Sequence, residues 1–172
     1  MAEEKGTELV DAMLLLLAEN ELMVKVAGIM SGEDLRGILK HPLAMISTDA
    51  FCLDKPLDEK ASIHPRHYGT YPVVLGQYVR EEGILTLEEA VRKMTSLPAR
   101  RVGLLDRGVI LAGAWADLVV FDPSTIANRS TIEAPAQFPA GIHYVLVNGK
   151  IAIAGDEYRD VRAGQVLRKG HP

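Results

Sequence analysis

Apolar side chains at Leu9, Val10, Met13, Leu14, Leu16 and Leu17 recur at the helical period, predicting a helix from Thr7 to Glu19 with Thr7 as N-cap and Asn20 as stop. Met23 to Ile29 is a short strand candidate, followed by a capping-box-like Ser31-Gly32-Glu33-Asp34 that opens a helix through Leu35, Ile38 and Leu39 as far as Pro42. Ala44-Met45-Ile46-Ser47 is a compact apolar strand candidate that leads into Thr48-Asp49. From Ala50 to His67 the pattern dissolves into Asp, Lys, Pro, Glu and His, which predicts a long irregular loop. Pro72 suits the first residue of a helix carrying Val74, Leu75, Tyr78 and Val79 and ending at Gly83. Thr86-Leu87-Glu88-Glu89 is a full capping box for a helix with Leu87, Ala90, Val91 and Met94 inward, and Pro98 starts another short helical turn.

After Gly103 the helical period gives way to β signals. Val109-Ile110-Leu111 and Asp117 to Phe121 are strand candidates, and Tyr144 to Val147 and Lys150 to Ile153 flank Asn148-Gly149. That dipeptide is a strong hairpin signal, because both central positions of a type I′ turn need positive φ. Pro123 to Gly141 is rich in Pro, Ala, Ser and Thr and reads as a surface-crossing loop. The pattern predicts an α/β segment at 1–104 and a β-rich subdomain at 105–172.

Composition narrows the class. The 172 residues, 48% hydrophobic, suffice for a real core, and 19 basic against 23 acidic residues give a net charge of -4 without a basic run. Nucleic acid and anionic membranes are therefore poor partners. One cysteine, Cys52, excludes an internal disulfide framework and agrees with a cytoplasmic location. The acidic opening Met1-Ala2-Glu3-Glu4 has the wrong charge for a signal peptide, and the apolar run from Met13 to Ala18 is too short to span a bilayer.

Among chemistry-bearing residues Asp49 leads, since it follows a strand candidate and precedes a long loop, where α/β barrels hold catalytic side chains. Asp and Thr after a strand are also common turn formers, so position alone leaves both readings open. His64-Pro65-Arg66-His67 groups two imidazoles with a guanidinium able to hold a carboxylate by two parallel hydrogen bonds. Two histidines fall short of a zinc site, which needs at least three protein ligands, and Pro65 removes any guarantee of a shared face. His41, His143 and His171 are isolated, Cys52 lacks a nucleophile's His or Asn pattern, and Tyr68, Tyr71 and Tyr78 read as packing residues.

Three blocks in order closely resemble the D-aminoacylase family: Ile46-Ser47-Thr48-Asp49-Ala50; His64-Pro65-Arg66 with Tyr68-Gly69-Thr70-Tyr71-Pro72; and Leu85-Thr86-Leu87-Glu88-Glu89-Ala90-Val91 through Ala99. Ala116 to Asp122 and Val145 to Gly149 are similar to the end of amidohydrolases in general, where the chain returns to a small β domain. The resemblance runs from about residue 7 to the C-terminus. It implies an α/β fold comprising the last two βα units of a (β/α)8 amidohydrolase barrel plus a small C-terminal β domain. It also implies a zinc-dependent N-acyl-D-amino-acid deacylase, in which Asp49 is the catalytic aspartate in contact with the metal and Arg66 anchors the substrate carboxylate. The chain departs from the family's Ser-Asp-Gly at Thr48-Asp49-Ala50, and nothing in it matches the family's His-x-His pair, bridging ligand or later metal-binding histidines.

The expectation is therefore a deacylase fragment that binds no zinc alone and is inactive alone. The alternatives are a non-catalytic assembly module and one subunit of a split enzyme. Uncovered strand edges and helix faces lead us to expect a homo-oligomer or a complementing chain.

Overall fold

The computed structural model describes residues 8–19, 31–51 and 63–168. The expected strand at 23–29, most of the loop at 50–67, Thr7, Asn20, Cys52 and His171 lie outside them. The chain packs as two units, Met1–Leu35 and Arg36–Pro172. In the first, helix α1 spans Leu9–Glu19, as its period predicts. Helix α2 spans Gly32–Lys40, with Ser31 Oγ accepting from the Asp34 amide at 3.0 Å. Glu33 and Asp34 in its first turn and Lys40 in its last complement the helix dipole.

Helix α3 spans Arg66–Val73 and continues as a π-helical stretch over Val74–Glu81. Pro72 therefore does not open the helix as the pattern suggested; it lies inside it. Pro65 instead occupies the N-cap, with φ of -51°. A proline within a helix removes one rung of the i→i−4 ladder and crowds the preceding turn, and the wider π turns begin two residues later. The π stretch buries Val74, Leu75 and Gly76. Gly76 is required there by proximity, since a Cβ would stand 2.8 Å from the Ile126 carbonyl oxygen. Arg36 of α2 holds Glu82, just past the π stretch, through Nε at 2.7 Å and Nη2 at 2.9 Å, while Gln77 Nε2 donates to the same carboxylate at 2.8 Å. These hydrogen bonds, Arg36's first, draw the Glu82 carboxyl below its ordinary range.

Helix α4 spans Leu87–Met94 and α5 spans Ser96–Val102, starting two residues before Pro98. The core is built by α4 and the π stretch: Val74, Leu75, Leu85, Ala90 and Ile126 are buried, with Ile46, Phe121 and Ile142 packed against them, while α5 buries no residue. Ile126, Phe121 and Ile142 all come from the C-terminal half, so helices and sheet share this core.

The sheet is an antiparallel meander in the order β1 (Leu118–Phe121), β2 (Ile142–Val147), β3 (Lys150–Ala154) and β4 (Glu157–Tyr158). The β2–β3 turn has the expected form, with φ of 48° at Asn148 and 79° at Gly149. Asn148 also accounts for the turn's anchoring: its amide donates to Asp117 Oδ1 at 2.7 Å, and its Nδ2 donates to the Ala163 carbonyl at 2.5 Å.

Two strand expectations fail. Val109-Ile110-Leu111 forms bends and unpaired chain, with Ile110 and Leu111 exposed by 91% and 71%. Ala44 to Ser47 pairs with no strand among the described residues. A short apolar run has no diagnostic period, and a strand exists only where a neighbour completes its ladder. Among the described residues no helix is long and apolar enough to cross a membrane.

Candidate functional site

The segment leading to Asp49 is held by helix α4 rather than by a strand. The Ile46 amide donates to the Lys93 carbonyl at 3.1 Å. Lys93, with no exposed surface, sends its Nζ back to the His41 carbonyl, to the Ala44 carbonyl at 3.2 Å, and to Glu89 Oε1 at 3.5 Å. Arg92 Nη2 donates to the Pro42 carbonyl at 2.9 Å. One face of a short helix thus grips residues 41–46 by four hydrogen bonds, in place of the missing ladder.

Glu89 connects this clamp to its helix cap. Its amide donates to Thr86 Oγ1 at 3.2 Å, which is half of the expected capping box. The other half does not form, because the Glu89 carboxylate turns toward Arg92, accepting at 2.7 and 2.8 Å, and toward Lys93. Charged partners outcompete a backbone amide for an ionised carboxylate. The Arg92 hydrogen bonds are the main cause that lowers the Glu89 carboxyl to about 2. Because the folded value lies below the unfolded value of 4.5, this contribution to stability is complete above pH 4.5 and disappears as pH falls toward 2. Acid unfolding of Glu89→Gln should therefore be flatter across that window than wild type. Superimposable pH profiles would refute the assignment.

Beyond Ile46 the chain turns sharply. Asp49 adopts a left-handed conformation, φ 48°, and the Ala50 amide donates to Thr48 Oγ1 at 3.3 Å. Only short polar residues and glycine enter this region readily, which accounts for an aspartate here. Its carboxylate reaches out, 81% exposed, and Oδ2 meets Arg66 Nη2 at 2.9 Å. The two residues singled out in the sequence are thus brought together across a loop whose middle lies outside the described residues.

Arg66 stands at the first position of α3, its backbone held by its neighbours. His64 Nδ1 accepts from the Arg66 amide at 3.1 Å, and Thr70 Oγ1 donates to the Arg66 carbonyl at 2.9 Å. Arg66 Nε is buried without a partner among the described residues, so the guanidinium meets Asp49 end-on through one nitrogen. His67 Nδ1 lies 2.9 Å from the His64 carbonyl, to which it donates. Its Nε2 is buried and without a partner among the described residues, and the Phe51 ring stands 5.3 Å away by centroids.

The described residues contain no group of three or more His, Cys, Asp or Glu placed to hold a metal ion. Asp49 and a free imidazole nitrogen are fewer donors than the three a zinc site needs, so they do not build a metal centre by themselves. Sequence reasoning missed Lys93, Glu89 and Arg92. A signal for Lys93 was present: it falls one turn after Ala90 on the apolar face of an amphipathic helix, where an unpaired ammonium is not tolerated.

The chain is similar to known deacylases in sequence and in fold. The chain is 46% identical over 140 residues to N-acyl-D-glutamate deacylase of Alcaligenes xylosoxydans xylosoxydans, covering 81% of this chain and 27% of that protein. The D-aminoacylase structure, from work on its binuclear metal center, matches 98% of this chain and 33% of its own with a TM-score of 0.80 at 39% identity. N-acyl-D-glutamate deacylase from Bordetella bronchiseptica, complexed with zinc and a phosphonate inhibitor, matches with a TM-score of 0.69 at 44% identity, covering 81% of this chain and 28% of that one. This chain therefore spans between about a quarter and a third of the length of these relatives. With the profile of the amidohydrolase family matching residues 16–153, a span that holds both the Asp49–Arg66 pair and the α4 clamp beneath it, the chain belongs to the amidohydrolase family.

Proposed function

We propose that the chain is the C-terminal part of a zinc-dependent amidohydrolase that hydrolyses the amide bond of N-acyl-D-amino acids, and that alone it neither binds zinc nor turns over substrate. The observation that carries this reading is the meeting of Asp49 and Arg66 at 2.9 Å in a chain 46% identical to a deacylase of that class. In our reading Asp49 is the carboxylate that contacts the metal and moves the proton, and Arg66 anchors the carboxylate of the substrate. Amide hydrolysis must take a proton from the attacking water and deliver one to the leaving amine, and Asp49 Oδ1 has no partner among the described residues. A zinc ion, when bound, supplies a water acidic enough to attack at neutral pH. Of its ligands the described residues provide at most Asp49 and one imidazole, so the remainder must come from elsewhere.

The same reading takes 1–104 as the last two βα units of a (β/α)8 barrel and 105–172 as the small β domain. It assigns the exposed Leu105, Ile110 and Leu111, at 80%, 91% and 71%, to a surface covered by a second copy or a complementing chain. The test combines metal analysis, light scattering and an assay with N-acetyl-D-amino acids on the purified chain plus zinc. Substoichiometric metal, no turnover and a mass above one chain are expected. Stoichiometric zinc that is lost in Asp49→Asn and in His67→Ala would overturn the inertness of this piece, and a strict monomer would overturn the covered surface.

A further inference from the structure

We propose that Asp49 and the carboxylate of an N-acyl amino acid compete for Arg66, so that substrate binding itself releases the Asp49 side chain for proton transfer. The proposal rests on the reading above and adds to it an order of events. Arg66 makes one ion pair among the described residues, and its partner is Asp49, the residue assigned to the chemistry. A substrate carboxylate arriving at Arg66 therefore meets a site that is already taken.

The geometry favours exchange over exclusion. The pair is a single end-on contact, Nη2 to Oδ2, not a two-nitrogen fork. Both sides are open to water, Arg66 at 40% and Asp49 at 81% exposed. An exposed pair of this kind holds by a factor of only about two to five. The backbone of Arg66 is held at the start of α3 by the hydrogen bond from its amide to His64 Nδ1 and by the one its carbonyl accepts from Thr70 Oγ1, and Asp49 sits at a sharp left-handed turn. With Arg66 Nε buried and the Asp49 side chain twice as exposed as the arginine, the aspartate is the side that rotates away. Until that exchange, Oδ2 is committed to the guanidinium, which keeps half of the carboxylate out of use when no substrate is bound.

Binding is measured on the isolated chain, where no turnover interferes, using N-acetyl-D-alanine and its uncharged carboxamide as probes. Carboxylate-carbon NMR of Asp49 and guanidinium NMR of Arg66 follow the two groups separately. N-acetyl-D-alanine is expected to shift both resonances along one saturation curve, the carboxamide to shift neither, and Asp49→Ala to bind the acid about two- to fivefold more tightly. Saturation of the Arg66 signal with a static Asp49 signal, or equal affinity in Asp49→Ala, would overturn the competition while leaving Arg66 as the anchor. Absence of any Arg66 response would overturn the anchor and the competition together. The wild-type Asp49 resonance decides the matter even should the variant fold poorly.

Discussion

Replacing Asp49 by asparagine in a polypeptide with measurable deacylase activity is expected to lower turnover by about 10²- to 10⁴-fold while leaving the fold intact. The magnitude is that of losing a positioned proton-transfer group. Asparagine keeps the shape and the short polar side chain that tolerate φ of 48° at this turn. Its amide oxygen can still accept from Arg66 Nη2, so the orientation of the loop survives. What it loses is the capacity to take a proton from water and return it to the leaving amine. A fall in kcat with unchanged circular dichroism and melting temperature is the expected pattern. Unchanged kcat would remove Asp49 from the chemistry altogether.

The second large effect is on stability. Lys93→Ala is expected to destabilise the fold by about 3 kcal/mol, because it strands two backbone carbonyls, those of His41 and Ala44, and empties the space of a fully buried stem. Lys93→Met fills the space without donating hydrogen bonds, so it should recover part of that loss and separate the packing share from the polar share. Denaturant titration of the two variants measures the difference, and amide exchange at Ile46 reports whether the grip on residues 41–46 is what fails. A midpoint unchanged in both variants would show that α4 does not hold this segment.

These two residues illustrate how differently a role can be read from sequence. Asp49 stood out because it follows an apolar run and falls in a block shared with a family of deacylases. Lys93, which positions the same segment, appears as one more charge in Arg92-Lys93, and nothing in the sequence identifies its acceptors, since carbonyl oxygens are present at every residue. The helices α1, α2 and α4 were legible because their apolar period and caps are local properties of the chain. The Asn148-Gly149 hairpin was legible for the same reason, as its turn chemistry lies within two residues.

Features that depend on a partner were misread. Ala44 to Ser47 and Val109 to Leu111 have strand composition, yet a strand is a relation between segments, and these have no neighbour to complete a ladder among the described residues. Pro72 was placed at a helix start because that is where proline is least costly, whereas burial of Val74 and Leu75 against Ile126 carries the helix through it and widens the following turns. Glu89 fits a capping box, but Arg92 and Lys93 on its own helix draw its carboxylate away from the cap.

By itself, then, the sequence determined the local helices, the hairpin turn and the family, and it singled out the two residues we propose for its chemistry, all of which are written in short blocks of neighbouring positions. The tertiary structure alone decided that Asp49 and Arg66 face each other at 2.9 Å, that a buried lysine holds the segment between helix α2 and the Asp49 turn, and that helices and sheet share one core. Those are contacts between segments far apart in the chain, and burial and hydrogen-bond partnership across such distances arise only when the chain is folded.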